Sequence, residues 1–394
     1  MINYLDIKIN EAELITTAKK NKNFVGVINN SGSYNDLKKS RKVIIPSSLY
    51  GYRLKRNTTS LWKLRKNHGM DLIVTDNHGI IKNHIEYDDA INRIQKAKKE
   101  NIKINFFFGG STLMGMGSRM PQYTIPSIIE KILTEKYNKN SVCINFGIGG
   151  TYCQEAYNLL INDAIRLGKP DKVIFYDGWN CSSYLTKINL LKKTNFIDIP
   201  NGTSLRQIEH DQSLLNSYNV LSNLKKISKL TFSLFFSLVG GILSSKYSEK
   251  LEFVISKYLN LKSNNLNRFI SNYKQSDQEI ITKSINEYKF IHESVTNFCN
   301  SNQIKFFHFF QPLVFFGKKN LTKDEIEWKK NGYSSGDPEI FLKFYKSFLE
   351  EKLNIIDLTN TFDGENKQTY IDSGHLNILG NFLISKKIAK IISD

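Results

Sequence analysis

The sequence predicts an α/β protein, a three-layer α/β/α core in which helices cover both faces of a central parallel sheet. Three observations predict it. Short β-branched or aromatic runs alternate with segments of helical periodicity, most of the apolar runs end in a turn containing glycine or proline, and the alternation occurs twice, on either side of a segment poor in both residues. A single sheet assembled from both stretches is the economical reading.

Taken in chain order, residues 1–100 form an N-terminal accessory block with several apolar stretches and no nucleotide-binding loop. Within it Ile91–Lys99 reads as a helix leading into the first core strand. The remaining residues, 101–394, hold the core. There Ile102–Phe108, Val142–Phe146 and Val173–Tyr176 read as buried strands, separated by helices over Ile125–Tyr137 and Tyr152–Leu167. The second stretch begins near Ile285 with a helix ending near Asn300. A strand Ile304–Phe310, a helix Asp337–Lys352, a short strand Asn354–Leu358 and a last helix from Leu379 follow.

Between the stretches, at about 182–284, apolar residues recur at helical spacing, so a helical insertion is expected. It contains the apolar run Leu230–Leu243, too short for a membrane span because about 20 apolar residues are needed to cross the hydrocarbon core. A buried helix or helical hairpin is one reading. The other is a lid or interfacial anchor flanked by Lys225, Lys226, Lys229, Lys246 and Lys250.

Lys and Arg number 55 against 37 Asp and Glu, a net charge of +18 that favours contact with something anionic, an acidic glycan or a membrane surface met through basic patches. An AT-rich genome also explains much of this lysine excess. Nucleic acid is not expected as a partner, since zinc-finger spacing, a basic heptad region and RNA-binding aromatics are all missing. Cys143, Cys153, Cys181 and Cys299 show no CxxC spacing and suggest neither a zinc site nor a disulfide framework. A reducing compartment fits. The first residues lack a basic segment followed by a long apolar run, so the expected location is the cytoplasm, with a peripheral position at the inner membrane left open by the basic insertion.

The residues that could do chemistry sit where strands end. In Phe106-Phe-Phe-Gly-Gly-Ser111-Thr112, two glycines after a strand let the chain turn tightly and expose the serine at the carboxyl end of the sheet, a position for a nucleophile. Alone, the same triplet reads as a plain turn or a phosphate loop. Asn145-Phe-Gly-Ile-Gly-Gly150-Thr151 again ends a strand and opens a helix, which suits amide donors to an oxyanion or to a nucleotide phosphate. Tyr176-Asp-Gly178-Trp-Asn180-Cys181 brings a side-chain amide to the same edge, as a donor to developing negative charge or as a turn former. Near the C-terminus, Asp372 and His375 stand three residues apart on a tight loop, where the carboxylate can hold the imidazole in the tautomer that accepts a serine proton. A helix-capping Asp beside a surface His is the alternative there.

These four signals in a fixed order, Gly110-Ser111, Gly150, Gly178-x-Asn180 and Asp372-x-x-His375, resemble the four blocks of the SGNH (GDSL-like) hydrolase family, from Ile102 to the end of the chain. The Gln311-Pro312 pair after the Ile304–Phe310 strand resembles a feature of many members. The resemblance implies a flavodoxin-like strand order, Ser111 as the nucleophile on an ester, His375 as the base and Asp372 as its orienting partner. The amides of Ser111 and Gly150 and the side chain of Asn180 would form the oxyanion hole, with Gly149 as a substitute for Gly150. No metal or organic cofactor is required. The sequence departs from the pattern twice: Gly110 occupies the usual Asp position, and Cys181 stands where Asp is common.

In the N-terminal block, Tyr50-Gly-Tyr-Arg-Leu-Lys-Arg-Asn57 and Thr75-Asp-Asn-His-Gly79 resemble the extension on large SGNH-like proteins of bacterial surface-polysaccharide machinery. A β-rich layer packed on the core and a glycan-binding role are both open for it. The resemblance thus implies a serine esterase acting on an acylated, O-acetyl, carbohydrate through an acyl-serine intermediate. Two alternatives use the same architecture: an O-acyltransferase that delivers the acyl group to a sugar hydroxyl, and a non-catalytic binding or membrane-associated scaffold.

Overall fold

Short strands with apolar side chains on both sides can be buried only between two layers of helices, and that is where this chain puts them. The structure is a computed structural model that describes residues 9–29, 43–47, 51–63, 68–193, 278–331, 338–351 and 353–393. The N-terminal block comprises α1 (Glu11–Lys20), β1 (Phe24–Asn29), β2 (Ile44–Ser47), β3 (Gly51–Leu54), β4 (Thr59–Lys63) and β5 (Asp71–Val74), then α2 (Ala90–Lys99). The core follows with β6 (Lys103–Gly109), the one-turn helix α3 (Ser111–Met114), α4 (Ile125–Tyr137) and β7 (Ser141–Asn145). Next come α5 (Cys153–Leu159), extended by a π-helical turn over Leu160–Ala164, then β8 (Lys172–Asp177) and α6 (Trp179–Lys193). After the undescribed stretch stand α7 (Gln278–Ser301), β9 (Lys305–Phe310), α8 (Lys323–Asn331), α9 (Pro338–Glu350), β10 (Ile356–Asp357) and α10 (Ile378–Ile392).

The main sheet has the order β10-β9-β8-β6-β7 and every pairing in it is parallel. In core numbering that is 2-1-3-4-5, the flavodoxin-like order, whose switch point lies between β6 and β8. The triple phenylalanine explains why β6 is central. Phe106 and Phe108 enter the cluster under α2, α5, α6, α7 and α9, while Phe107 enters the cluster under α4 and α10. Val173 and Phe175 of β8 face the first layer and Ile174 and Tyr176 the second, so neither face of the sheet meets water.

The strands and helices read from the periodicity all form, each to within a few residues. Two features differ from expectation. The residues after β8 do not make a free turn: α6 begins at Trp179, so Asn180 lies in its first helical turn. In addition, Lys323–Asn331 is a helix in a stretch with no assigned element. The segment expected as an insertion, 182–284, contributes both ends to the core. Leu185 and Ile188 of α6 and Ile281 of α7 are buried in the first cluster. Its middle, with Leu230–Leu243 and the flanking lysines, lies outside the described residues. No helix among the described residues is long and apolar enough to cross a membrane.

The N-terminal block is a β-rich layer on the core. Its three-stranded sheet runs β1-β4-β5, and Ile28, Leu54, Trp62 and Ile73 share one apolar cluster with Ile144, Phe146 and Ile148 of the main domain. The Ile81 N–H donates to the Asn145 carbonyl at 3.2 Å, closing the β7 edge of the main sheet. The Thr75–Gly79 motif is a turn built round Asp76, whose carboxylate accepts from the N–H groups of His78, Ile80 and Ala90. That carboxylate therefore also braces the start of α2.

Candidate active site

The chain leaves the buried end of β6 through two glycines that have no room for a side chain. A Cβ on Gly109 would lie 2.3 Å from the Tyr176 carbonyl, and one on Gly110 would lie 2.5 Å from Nδ2 of Asn180. Ser111 then opens α3, with its hydroxyl at the carboxyl rim of the sheet beside the switch point. From the far end of the chain, the loop between β10 and α10 brings His375 to the same rim. Ser111 Oγ and His375 Nε2 are 2.6 Å apart, and His375 Nδ1 is 2.8 Å from Asp372 Oδ2.

The loop is shaped by the carboxylate itself. Asp372 Oδ1 accepts from the N–H groups of Gly374 at 2.9 Å and His375 at 2.8 Å, a turn that fixes the imidazole relative to the acid. Burial pushes the Asp372 carboxyl up, but the charge of His375, the hydrogen bond to its ring and the two backbone donors outweigh burial and hold it well below the usual carboxylate range. Asp372 is therefore an anion at neutral pH. It is 4% exposed, whereas Ser111 and His375 are half-buried and open on one side.

Two further loops reach the serine. The first is folded by Asn145, whose Nδ2 donates to the Leu113 carbonyl of α3 at 2.8 Å while its Oδ1 accepts from Gly147 N–H at 2.9 Å. In that loop Gly150 adopts φ +75°, a left-handed conformation that favours glycine. The Gly149 N–H is directed at Met114 Sδ, 3.3 Å away. The second is the start of α6. Asn180 Nδ2 donates to the Thr151 carbonyl at 2.9 Å, which ties it to the Gly150 loop. An amide carries two hydrogens, so this bond takes one and the second can serve a substrate oxygen. Below it, Cys181 Sγ accepts from Cys153 N–H at 3.1 Å. The thiol at the position where Asp is common thus bridges the two loops from beneath.

All five residues predicted from the sequence, Ser111, Gly150, Asn180, Asp372 and His375, therefore meet at one rim, and the two departures have a steric and a hydrogen-bonding reason. Three supports stand around these residues, and of them only the Gln311-Pro312 pair was marked in the sequence. Asp71 of β5, fully buried, accepts from the N–H groups of Gly117 at 3.0 Å and Arg119 at 2.8 Å, so the N-terminal block grips the loop that follows the serine. That loop in turn lies against the histidine loop, since a Cβ on Gly117 would fall 1.8 Å from the Leu376 carbonyl. Gln311, after β9, donates its N–H to the Asp177 carbonyl at 2.8 Å, and Val314 N–H donates to Ser373 O at 3.1 Å, so the Gln-Pro segment backs the Asp372 turn.

The third is a second carboxylate–imidazole cluster. His308 Nε2 lies 3.0 Å from Asp177 Oδ1 and 3.0 Å from the Tyr288 hydroxyl, and its Nδ1 lies 3.0 Å from His292 Nδ1. All four side chains are buried where α7, which carries Tyr288 and His292, packs on the sheet. The strand pairing Phe175↔His308 and Asp177↔Phe310 was the only available clue, and it is invisible before the register is known. Among the described residues, no group of three or more His, Cys, Asp or Glu is arranged to hold a metal ion.

No protein-family profile matches the chain, and no curated protein matches it either. Among solved structures, the chain is similar to an acetyl xylan esterase, AlAXEase, at 16% identity and a TM-score of 0.34, with 73% of this chain and 99% of that one covered. It is similar to a putative lipolytic protein of the G-D-S-L family from Desulfitobacterium hafniense DCB-2, at 11% identity and a TM-score of 0.34, with 73% and 99% covered. A lipase, Lip_vut3, from a goat rumen metagenome aligns at 11% identity and a TM-score of 0.37, with 73% and 96% covered. On its own coordinates the chain has a three-layer α/β/α fold with the flavodoxin-like strand order, with a serine, an imidazole and a carboxylate in line at the rim.

Proposed function

We propose that this chain is a serine esterase that removes an acyl group, an O-acetyl group on a carbohydrate, through an acyl-serine intermediate. The observation that carries the reading is the continuous contact from Ser111 Oγ through His375 to Asp372, at 2.6 and 2.8 Å. A serine hydroxyl is a poor nucleophile until a base takes its proton, and His375 Nε2 stands where it can take it. Asp372, an anion hydrogen-bonded to Nδ1, keeps the proton on that nitrogen and stabilises the imidazolium that forms.

Oγ attacks the ester carbonyl and the carbonyl oxygen becomes negative. The donors assigned to it are the backbone N–H groups of Ser111 and Gly150 and the second hydrogen of Asn180 Nδ2. Gly150 is preferred to Gly149 because the Gly149 N–H is already directed at Met114. Donors fixed before the reaction cost no reorganisation, and losing one costs about 2.7–4 kcal/mol of barrier. Collapse expels the sugar oxygen, which takes the proton from His375. Water, deprotonated by the same imidazole, then releases the acid and regenerates the serine.

Labelling with a fluorophosphonate and intact-mass measurement test the assignment. The protein gains one adduct, localised to Ser111 by peptide mapping, and Ser111→Ala gains none. Acetate release from acetylated xylo-oligosaccharides tests the substrate class, and a mixture containing an unacetylated acceptor separates hydrolysis from transfer. Absence of any adduct on the folded protein would sink the esterase.

A further inference from the structure

The helix that the sequence left unmarked, α8, carries a buried acid that the reaction does not use. Glu325 pairs at 2.9 Å with Lys319 of the loop before it, and the two side chains are 0% and 3% exposed. One carboxylate oxygen, Oε2, accepts from Lys319 Nζ and from the N–H of Thr322, the residue before α8, both at 2.9 Å. The second of these contacts is the one a Glu in the first turn makes when it caps its own helix. The other oxygen, Oε1, leaves the helix altogether. It accepts from the N–H groups of Thr369 at 2.9 Å and Tyr370 at 3.1 Å, and from the Thr369 hydroxyl at 3.4 Å.

Thr369 and Tyr370 are the entry to the turn that holds Asp372 and His375. The Asn377 N–H donates to the Thr369 carbonyl and the Ile371 N–H to the His375 carbonyl, each at 2.9 Å, with Tyr370 bridged antiparallel to Leu376. Residues 369–377 are thus a short hairpin with the acid and the base at its tip. A two-stranded hairpin is marginal by itself, so whatever holds its base decides where its tip points. One arm is tied to α10, since Asn377 Oδ1 accepts from the Gly380 N–H at 2.9 Å. The other arm is held by Glu325. Burial pushes the Glu325 carboxyl up, but Lys319 and the backbone donors of Thr322, Thr369 and Tyr370 outweigh burial and hold it below the usual carboxylate range. Two consecutive N–H groups therefore meet an anion, the stronger kind of acceptor.

We propose that Glu325 is a positioning residue of the active site: fixed in α8 by Lys319 and Thr322, its carboxylate holds the base of the 369–377 hairpin and so sets the reach of His375 Nε2 to Ser111 Oγ. Its consequence for rate rests on the esterase reading, whereas its consequence for the Asp372–His375 geometry does not. A displacement of about 1 Å at a reacting group can cost about 10²-fold. The contacts at Ser373 and Leu376 remain when Glu325 is removed, so a smaller loss is expected from it alone.

The rate of fluorophosphonate labelling at Ser111, measured well below the melting temperature, is the test. Glu325→Ala should label about tenfold more slowly than the unaltered chain. A purely structural role would lower the melting temperature and leave that rate alone, because nearly every molecule is still folded under those conditions. Glu325→Gln/Lys319→Met should return the rate to within about twofold, since the amide oxygen takes the place of Oε1 and no ammonium is left buried without its carboxylate. Glu325→Asp keeps the charge beside Lys319 but draws the carboxylate back by one methylene. It covers the case in which the alanine variant does not fold, with a loss of about fivefold expected. Proton NMR gives a second readout: the downfield Nδ1 proton of His375, identified by its loss in His375→Ala, should broaden or move upfield in the alanine and aspartate variants. An unaltered chain that takes no adduct refutes the esterase and leaves this resonance to decide the role of Glu325. The proposal falls if the resonance is unchanged in both variants, or if both label at the unaltered rate. It falls equally if the Gln/Met pair is as slow as Glu325→Ala.

Discussion

Among the described residues three Asp–His pairs lie within hydrogen-bond distance, Asp372–His375, Asp177–His308 and Asp71–His68, and of the first two only one keeps a ring nitrogen on a serine hydroxyl. Asp372 and His375 lie 2.8 Å apart within one turn, while Asp177 and His308 lie 3.0 Å apart across two strands. The difference is in what surrounds them. The ring of His375 keeps its second nitrogen for Ser111 and stands at the rim; the ring of His308 is enclosed by Tyr288 and His292 of α7 and by Phe306 of β9. A carboxylate beside an imidazole therefore makes either a base or a brace. The third partner and access to solvent decide which.

That contrast can be broken by substitution. His375→Ala should lower hydrolysis of p-nitrophenyl acetate by about 10⁴-fold or more, whereas His308→Phe should change it less than twofold. A comparable loss in both would erase the distinction. Asp372→Asn keeps an oxygen for the Gly374 and His375 N–H groups but holds the wrong tautomer, so turnover should fall by about 10³–10⁴-fold with the melting temperature nearly kept. Gly110→Asp, which introduces the residue that the SGNH resemblance places there, should lower turnover by about 10²-fold, because the new Cβ must push Asn180 Nδ2 away. An unchanged rate would show that Asn180 is not an oxyanion donor.

The structural pair is sharpened by pH. Burial and the neighbouring His308 hold the His292 imidazole down to about 4, with Asp177 pulling weakly the other way. In the unfolded chain its value returns to about 6.5, so the folded state binds fewer protons between these limits. The stability present above pH 6.5 is then lost as pH falls towards 4, by at most about 3 kcal/mol. Melting curves between pH 7 and 4.5 should show this slope, and His292→Phe should flatten it. The contribution of Asp372 lies in a separate window. It is complete above about pH 4 and lost only below, as pH falls towards its depressed folded value.

The core was legible because its signals are local. Phe106–Phe108 reads as a strand buried on both faces, the Gly109–Ser111 triplet reads as a rim, and Asp372-x-x-His375 reads as a turn, each within a few residues of sequence. What was missed is joined through space. Asp177 and His308 are 131 residues apart, and Asp71 meets Arg119 from 48 residues away. Neither carboxylate carries a local mark that separates it from a surface acid. Of the two readings open for Asn180, donor at the sheet edge or turn former, the turn is overridden by packing: Trp179 starts a helix whose Leu185 and Ile188 bury against the sheet.

The grip of Asp71 on Gly117 and Arg119 has a practical meaning. An engineer seeking the smallest working enzyme would cut just before Lys103, where the first strand of the main sheet begins. Such a cut would strip two backbone donors of their acceptor and bare the apolar face shared by Trp62 and Phe146. The appendage is part of the chassis that holds the loop after the serine.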